Sequence, residues 1–135
     1  MDYVIDTNTI VHYLSKQSNV LRNFDDAAIR NCNLIIPKAV DYELRRGFSI
    51  YHAPKKEAAY NILIQQCTMG ELNFNVWDCA VHIYTELYKK RLTVGDIDIL
   101  IAAFCLVNDY ILVTNNTRDF DNIKGIKLVD WAQMQ

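Results

Sequence analysis

The segment Tyr3-Val4-Ile5-Asp6-Thr7-Asn8 places an acid directly after three apolar residues. Two further short apolar runs, Leu34-Ile35-Ile36 and Ile111-Leu112-Val113, also lack polar alternation. Runs of this kind are typical of parallel strands that are buried on both faces. We therefore predict that all three are strands of one parallel sheet.

The segments between these strands are too long for hairpins and carry helical patterns. Residues 37–51 open with Pro37, a residue favoured in the first turn of a helix. Residues 55–69 and 77–92 are amphipathic, and residues 97–108 are apolar almost all round, as in a core helix. Alternating strands and helices predict right-handed crossovers and a sheet covered on both sides. The predicted fold class is α/β, a three-layer α/β/α sandwich with a central, mainly parallel sheet, in a single domain spanning residues 1–135.

Composition excludes several classes of protein. The chain has 135 residues, 51% of them hydrophobic, with 4 Gly and 2 Pro, which excludes disordered, low-complexity and collagen-like chains. Its net charge of −2 does not indicate a generally basic nucleic-acid binder, although Arg45-Arg46, Lys55-Lys56 and Lys89-Lys90-Arg91 are local basic clusters. No apolar run approaches the ~20 residues that span a bilayer. Because the first residues lack the basic start and long apolar stretch of a secretory signal, we predict a cytoplasmic protein without a membrane segment.

Four acids fall near the predicted carboxyl edge of the sheet, where open α/β proteins bind their ligands. Asp6 follows the first strand, and Asp119 follows the strand 111–113, in the segment Thr114-Asn115-Asn116-Thr117-Arg118-Asp119. Glu43 lies in the helix after the strand 34–36, and Asp98 lies in the first turn of the apolar helix. The predicted topology sends all four toward one edge.

Asp6 and Asp98 also have structural interpretations. Asp6 could cap the helix that begins near Thr7, although other capping residues stand next to it. At the apolar helix, Asp96 looks like the N-cap. Asp98, two residues on, points to the other side and is left to face a site. A carboxylate on a helix with so little polar surface needs a partner.

Glu43 has a competitor in Asp41. Asp41 has Arg45 four residues on, which is a routine surface pair. Glu43 lies at the margin of the apolar stripe, beside the small residue Gly47, and is therefore the better inward-facing candidate, although Arg46 is also close.

Converging carboxylates repel one another and raise their own pKa values unless a cation is present. Oxygen-rich clusters suit Mg²⁺ or Mn²⁺, which accept carboxylates and retained waters. A metal held in this way activates water and neutralises charge on a phosphate ester. The acids therefore predict a Mg²⁺ site, in which Mn²⁺ can substitute, with Asp6, Glu43, Asp98 and Asp119 as candidate ligands.

The chain resembles the PIN-domain ribonucleases, and most closely the VapC-type toxins of bacterial toxin–antitoxin pairs. The resemblance covers essentially all 135 residues. It is carried by Val4-Ile5-Asp6-Thr7-Asn8, by Glu43, and by Val94-Gly95-Asp96-Ile97-Asp98-Ile99-Leu100-Ile101-Ala102-Ala103. The ending Val113-Thr114-Asn115-Asn116-Thr117-Arg118-Asp119-Phe120, followed by Asp130-Trp131, is also similar to that family.

The resemblance implies a Mg²⁺-dependent endoribonuclease that cleaves single-stranded or loop RNA, such as a tRNA anticodon loop. It also implies a homodimer and a cognate antitoxin whose tail enters the site. The family's metal-binding acids fall on Asp6, Glu43 and Asp98. The fourth position falls between Asn115 and Asp119, with Asp119 favoured and Asn116 in support.

Around these acids we assign supporting roles. Thr7, Asn8, Thr114 and Asn116 are candidates to support the ligands or to orient the substrate, because ligating carboxylates need hydrogen-bond partners. Arg45, Arg46 and Arg118 are candidates to contact phosphates. Leu14, Leu21 and the helix 55–69 are candidates for a dimer or antitoxin surface.

Two other functions remain open. One is phosphoryl transfer through an aspartyl phosphate on Asp6. Against it, Asn8 stands where a phosphatase needs a second Asp, and Val113 leads into Thr114 where a receiver domain needs a lysine nearby. The other is a catalytically silent scaffold of PIN-like fold that binds a partner protein. The presence of all four acids argues against a degenerate site.

Overall fold

A computed structural model describes residues 1–133 of the chain. The strands within that range are β1 (Asp2–Ile5), β2 (Asn33–Pro37), β3 (Thr68–Gly70), β4 (Ile111–Val113) and β5 (Lys127–Val129). The helices are α1 (Thr7–Leu14), α2 (Ser18–Ile29), α3 (Lys38–Tyr51), α4 (Pro54–Ile64), α5 (Phe74–Lys89), α6 (Asp96–Asn108) and α7 (Thr117–Phe120).

The strands form one parallel sheet in the order β3-β2-β1-β4-β5. The strand β1 lies at the centre, where Tyr3 is opposite Leu34 of β2 on one side and Ile111 of β4 on the other. Because every strand runs in the same direction, all the carboxyl ends meet at one edge. The predicted α/β class with a parallel sheet is confirmed.

Consecutive residues of the central strands are buried, so helices cover both faces of the sheet. Tyr3, Val4 and Ile5 of β1 are all buried, as are Leu34, Ile35 and Ile36 of β2. The apolar helix α6 also lies in the core, with Ile101, Ala102 and Ala103 inaccessible to solvent. It contacts α5, α3 and β4. The predicted core helix over 97–108 is therefore confirmed. Within residues 1–133, no helix combines the length and apolar character needed to cross a bilayer.

The predicted helix over 55–69 is wrong in its last third. The helix α4 ends at Ile64, and residues 68–70 instead form the edge strand β3 beside β2. Three residues are too few for a strand periodicity to show in a sequence. The predicted helix over 77–92 is shifted, because Asn73 caps α5 by accepting a hydrogen bond from the amide of Val76 at 3.1 Å.

Gly70 lets the edge strand approach the core helix closely. A methyl group at this position would stand only 2.4 Å from the tip of the Phe104 ring, which is itself buried. The close packing of β3 against α6 therefore requires the absence of a side chain at residue 70.

The substitution Gly70→Ala is expected to destabilise the protein by about 1–3 kcal/mol, because the buried Phe104 ring or the strand itself must shift to admit the methyl group. Urea denaturation followed by circular dichroism measures this change. Gly47→Ala is the matched control, since no atom beyond the adjacent residues and the helix's own backbone lies within 4 Å of a methyl group there. Alanine within helix α3 is expected to stabilise the protein by about 0.5–1 kcal/mol. Equal stability of the two variants would contradict the packing argument.

Candidate active site

The predicted acids are positioned by different elements around the carboxyl edge of the sheet. Asp6 immediately follows β1, and Glu43 lies in the second turn of α3. Asp98 lies in the first turn of α6, and Asp119 lies in the short helix α7 that follows β4. The fold therefore places these four acids around the carboxyl edge of the sheet, where the sequence predicted them.

Asp6 is held rigidly in the wall of this site. Its side chain is buried, with the residue only 3% exposed. One carboxylate oxygen accepts a hydrogen bond from the amide of Thr7 at 2.8 Å, and the other accepts one from the hydroxyl of Thr114 at 2.7 Å. Asp6 is thus the N-cap of α1 and a member of the acidic site at the same time, with one oxygen for each role.

Burial raises the pKa of Asp6 above its ordinary value. The hydrogen bonds from Thr114 and Thr7 act in the opposite direction, and the negative charge of Glu43 raises the pKa further. Burial is the largest of these effects, so the carboxylate is held in a place where its charge is unfavourable.

A chain of hydrogen bonds joins Asp6 to Asp119. The hydroxyl of Thr114, which donates to Asp6, accepts a hydrogen bond from the amide of Asn116 at 3.0 Å. The side-chain amide of Asn116 donates to the Asp119 carboxylate, also at 3.0 Å. Thr114 and Asn116 therefore lie where supporting residues were predicted. Asn115 is exposed and lies outside this chain.

The pKa of Asp98 is affected by burial and by the charges of all three other candidate acids. Burial raises its pKa to about 6, with further contributions from the charges of Asp6, Glu43 and Asp119. Only Glu43 has a basic partner, because the ion pairs within residues 1–133 include none to Asp6, Asp98 or Asp119. The site is therefore a group of mutually repelling carboxylates with little compensation.

The prediction that Asp96 caps α6 is wrong. Gly95 occupies the N-cap position with extended backbone, and no side chain makes a capping hydrogen bond there. Asp96 is the first helical residue and is exposed. The sequence pattern could not separate these adjacent positions, because an acid is favourable at either one. The expected contrast between the two acids holds, since Asp98 is partly buried.

The remaining predicted residues differ in accessibility. Asn8 and Arg118 are exposed at the edge. Thr7 is partly buried, and its hydroxyl lacks a hydrogen-bond partner within the described residues. Sequence reasoning missed Thr9, whose buried hydroxyl donates to the Val113 carbonyl at 3.2 Å and so joins α1 to the end of β4. Its position two residues after Thr7 gave no signal that distinguishes it from an ordinary helical threonine.

A groove of about 320 Å³ adjoins the acids on the side of Glu43. The polar residues Thr7 and Glu43 line one part of it. The other part is mostly apolar, with Lys56 as its charged residue, and is lined by Val11, Leu14, Leu44, Phe48 and Tyr51. The predicted surface residue Leu14 therefore lies beside the acidic site.

The donor set suits a hydrated hard cation. Within residues 1–133, no group of three or more carboxylate, histidine or cysteine side chains is arranged to hold a metal ion by direct contacts alone. Mg²⁺ does not need such a cage, because it retains several waters and uses few carboxylates. Asp6, Asp98 and Asp119 offer oxygen donors without ion-pair partners in the part of the chain that the structure describes, which matches this requirement.

A parallel α/β sheet with acids gathered at its carboxyl edge is the arrangement expected of a PIN-like protein. The chain belongs to the PIN domain family, which matches residues 3–126. It is 28% identical over 134 residues to the ribonuclease VapC2 of Rickettsia felis, covering 97% of this chain and 98% of that protein. It is also 28% identical over 138 residues to the tRNA(fMet)-specific endonuclease VapC of Salmonella typhimurium, covering 98% and 99%.

Solved structures show the same similarity in three dimensions. The chain matches the crystal structure of VapBC2 from Rickettsia felis bound to a DNA fragment from their promoter, with a TM-score of 0.88 and 26% identity. The match covers 97% of this chain and 99% of that chain. The resemblance to VapC-type proteins is confirmed.

Ionisation of Asp98 is expected to lower the free energy of unfolding of the protein as the pH rises. Its pKa is about 6 in the folded protein, whereas the ordinary value of 3.8 applies to the unfolded chain. Between these two pH values the folded state therefore binds more protons than the unfolded state. Stability from this group is complete below about pH 4 and is lost as the pH rises through 6. At pH 7, Asp98→Asn is expected to stabilise the protein by on the order of 1 kcal/mol, a value discounted for solvent screening of a partly exposed group.

Urea denaturation at pH 4 and at pH 7 measures this effect. The matched control is Asp96→Asn, which removes the same charge from an exposed position on the same helix. A gain at pH 7 in Asp98→Asn that persists at pH 4, or that also occurs in the control, would contradict the assigned repulsion.

Proposed function

We propose that this chain is a divalent-metal-dependent endoribonuclease that acts as the toxin of a toxin–antitoxin pair. The observation that carries this proposal is the uncompensated repulsion at Asp98, where burial and three neighbouring carboxylates raise the pKa to about 6. A bound cation would relieve this repulsion. Clusters of this kind in a concave edge are typical of functional sites.

Asp6, Asp98 and Asp119 are proposed to hold Mg²⁺, in part through waters that the ion retains, and Mn²⁺ is expected to substitute for it. Glu43 is proposed to hold a second cation or to orient the attacking water. A bound divalent ion supplies Lewis acidity for the phosphate and lowers the pKa of water. The protein's own contribution is geometric: Thr114 fixes the Asp6 carboxylate and Asn116 fixes that of Asp119.

RNA is the proposed substrate. Relatives that this chain matches over almost its whole length are named ribonuclease VapC2 and tRNA(fMet)-specific endonuclease VapC. In single-stranded and loop RNA the bases and 2′-hydroxyl groups are accessible, so polar side chains on a protein surface can contact them. Asn8 and Arg118 are exposed beside the acids and are proposed to orient the strand. A tRNA anticodon loop is the specific target that we propose.

An antitoxin is the proposed protein partner, since the matched structure is a VapBC complex. The groove beside Glu43 supports this assignment, because its apolar wall ends at the acidic site. A partner segment with apolar residues and a basic residue at one end would cover both parts. We also propose that the protein acts in the cytoplasm.

Helix α5 supports the proposal of a homodimer. Trp77, Val81, Tyr84 and Tyr88 form an exposed apolar stripe at helical spacing. Stripes of this kind mark interaction surfaces. We therefore place the proposed dimer surface here, whereas the sequence pointed to Leu14, Leu21 and the region 55–69.

The variant Val81→Glu is expected to sediment as a monomer, because a charge would be buried at the centre of the stripe. Sedimentation velocity of the purified protein measures this. His82→Glu places the same charge at the neighbouring exposed position, off the stripe, and is expected to leave a dimer. A monomeric wild type would reject the proposed homodimer.

The function itself is tested with total RNA in the presence of Mg²⁺ or EDTA. Wild type is expected to produce discrete cleavage that EDTA abolishes. Asp98→Asn is expected to lose about 100-fold or more of this activity, whereas the exposed Asp96→Asn retains it. Sequencing of the new ends identifies the target.

The two alternatives predict other results. No cleavage by protein freed of antitoxin would favour the catalytically silent scaffold. A phosphorylated Asp6 would favour phosphoryl transfer through that residue. Cleavage that survives in Asp98→Asn would show that the site is assigned to the wrong residues or that another nuclease is present.

A further inference from the structure

Arg46 is the basic residue that forms an ion pair with a candidate acid within residues 1–133. Its Nη2 atom lies 3.6 Å from Oε2 of Glu43. Its guanidinium carbon also lies 5.1 Å from the centroid of the Tyr42 ring. The Arg46 side chain is 47% exposed, so the ion pair is long and solvated and is easily exchanged for another partner.

The neighbouring Arg45 is bound in a different way. Its Nε atom donates to both carboxylate oxygens of Asp41, at 2.9 and 3.0 Å. The same carboxylate accepts a hydrogen bond of 2.6 Å from the hydroxyl of Tyr60, a fully buried residue of α4. Arg45 therefore belongs to the contact that holds α4 against α3. Of these two predicted phosphate contacts, Arg46 is the one that is free to move.

We propose that Arg46 is an exchangeable phosphate contact. It lies on Glu43 in the metal-free protein, is displaced when a divalent cation takes that carboxylate, and then binds the RNA backbone. This inference rests on the function proposed above. It adds Arg46 to the site and places metal binding at Glu43 before the contact of Arg46 with RNA.

Tyr42 determines where the displaced side chain can go. Tyr42 is 56% exposed, and the Arg46 guanidinium carbon lies over the face of its ring. Stacking on an aromatic face leaves the N–H edge of a guanidinium free to donate to a phosphate. Arg46 therefore remains beside the acids after it leaves Glu43.

This exchange of Arg46 between Glu43 and RNA makes metal binding and RNA binding cooperative. In the metal-free protein, Glu43 competes with RNA for Arg46. In the metal-bound protein this competition is gone, so metal strengthens RNA binding and RNA strengthens metal binding by the same factor.

The test compares Arg46→Gln with Arg45→Gln, which removes the same charge one residue earlier. Mn²⁺ binding is measured by calorimetry without RNA. Binding of a short fluorescein-labelled single-stranded RNA is measured by anisotropy in EDTA and in Ca²⁺, with a denaturing gel to verify that the strand stays intact. Circular dichroism confirms that each variant is folded.

Arg46→Gln is expected to bind Mn²⁺ about two- to five-fold more tightly than wild type, because a competing cation is gone. In this variant, metal is expected to strengthen RNA binding by about five-fold less than in wild type. The salt dependence of RNA binding in metal should fall by about one ion, with no such fall in EDTA. Tyr42→Phe should retain the cooperativity, and Tyr42→Leu should lose part of it.

Equal effects of Arg46→Gln and Arg45→Gln would overturn the proposal, because only net charge would then matter. An equal loss of RNA affinity with and without metal would also overturn it, since Arg46 would be a permanent contact. If wild type binds both Mn²⁺ and RNA and either result is found, only this inference fails. If wild type binds neither, the proposed nuclease function fails with it.

Discussion

The hydrogen bond between Thr114 and Asp6 is the interaction on which the acidic site depends. Strands β1 and β4 pair in parallel with Ile5 opposite Val113, so the residues that follow them lie side by side. The amide of Asp6 donates to the Val113 carbonyl at 3.0 Å and continues this pairing past the strand. A buried carboxylate is unfavourable without donors, and the Thr114 hydroxyl is the donor that the neighbouring strand supplies.

The rest of the site adds charge that the fold does not neutralise. Asp98 lies in the first turn of α6, where the helix dipole favours a negative charge. Even so, burial and the three neighbouring carboxylates raise its pKa to about 6. The favourable interaction of the Asp98 carboxylate with the helix dipole is therefore too weak to offset burial and the repulsion between the carboxylates. An arrangement that lowers the stability of the folded protein in this way is typical of a site that binds a cation.

The sequence predicted the centre of the fold and its acids, but not the edges. The strands β1, β2 and β4 are buried on both faces, and continuous apolar runs identify such strands. The strand β3 has only three residues, and its place depends on contact between Gly70 and Phe104, which are distant in sequence. The contact that holds Arg45 likewise involves Tyr60 of α4, which no local pattern connects to that arginine.

The two sides of the site differ in how firmly they are held. On one side, Thr114 and Asn116 fix the carboxylates of Asp6 and Asp119 through hydrogen bonds of 3.0 Å or less. On the other side, Glu43 is held by a single ion pair of 3.6 Å to an exposed arginine. A metal ion needs preorganised ligands, whereas a substrate or an antitoxin needs a surface that can change partners. The apolar groove begins at Glu43, so the adjustable side of the site also adjoins the groove in which we place the proposed antitoxin segment.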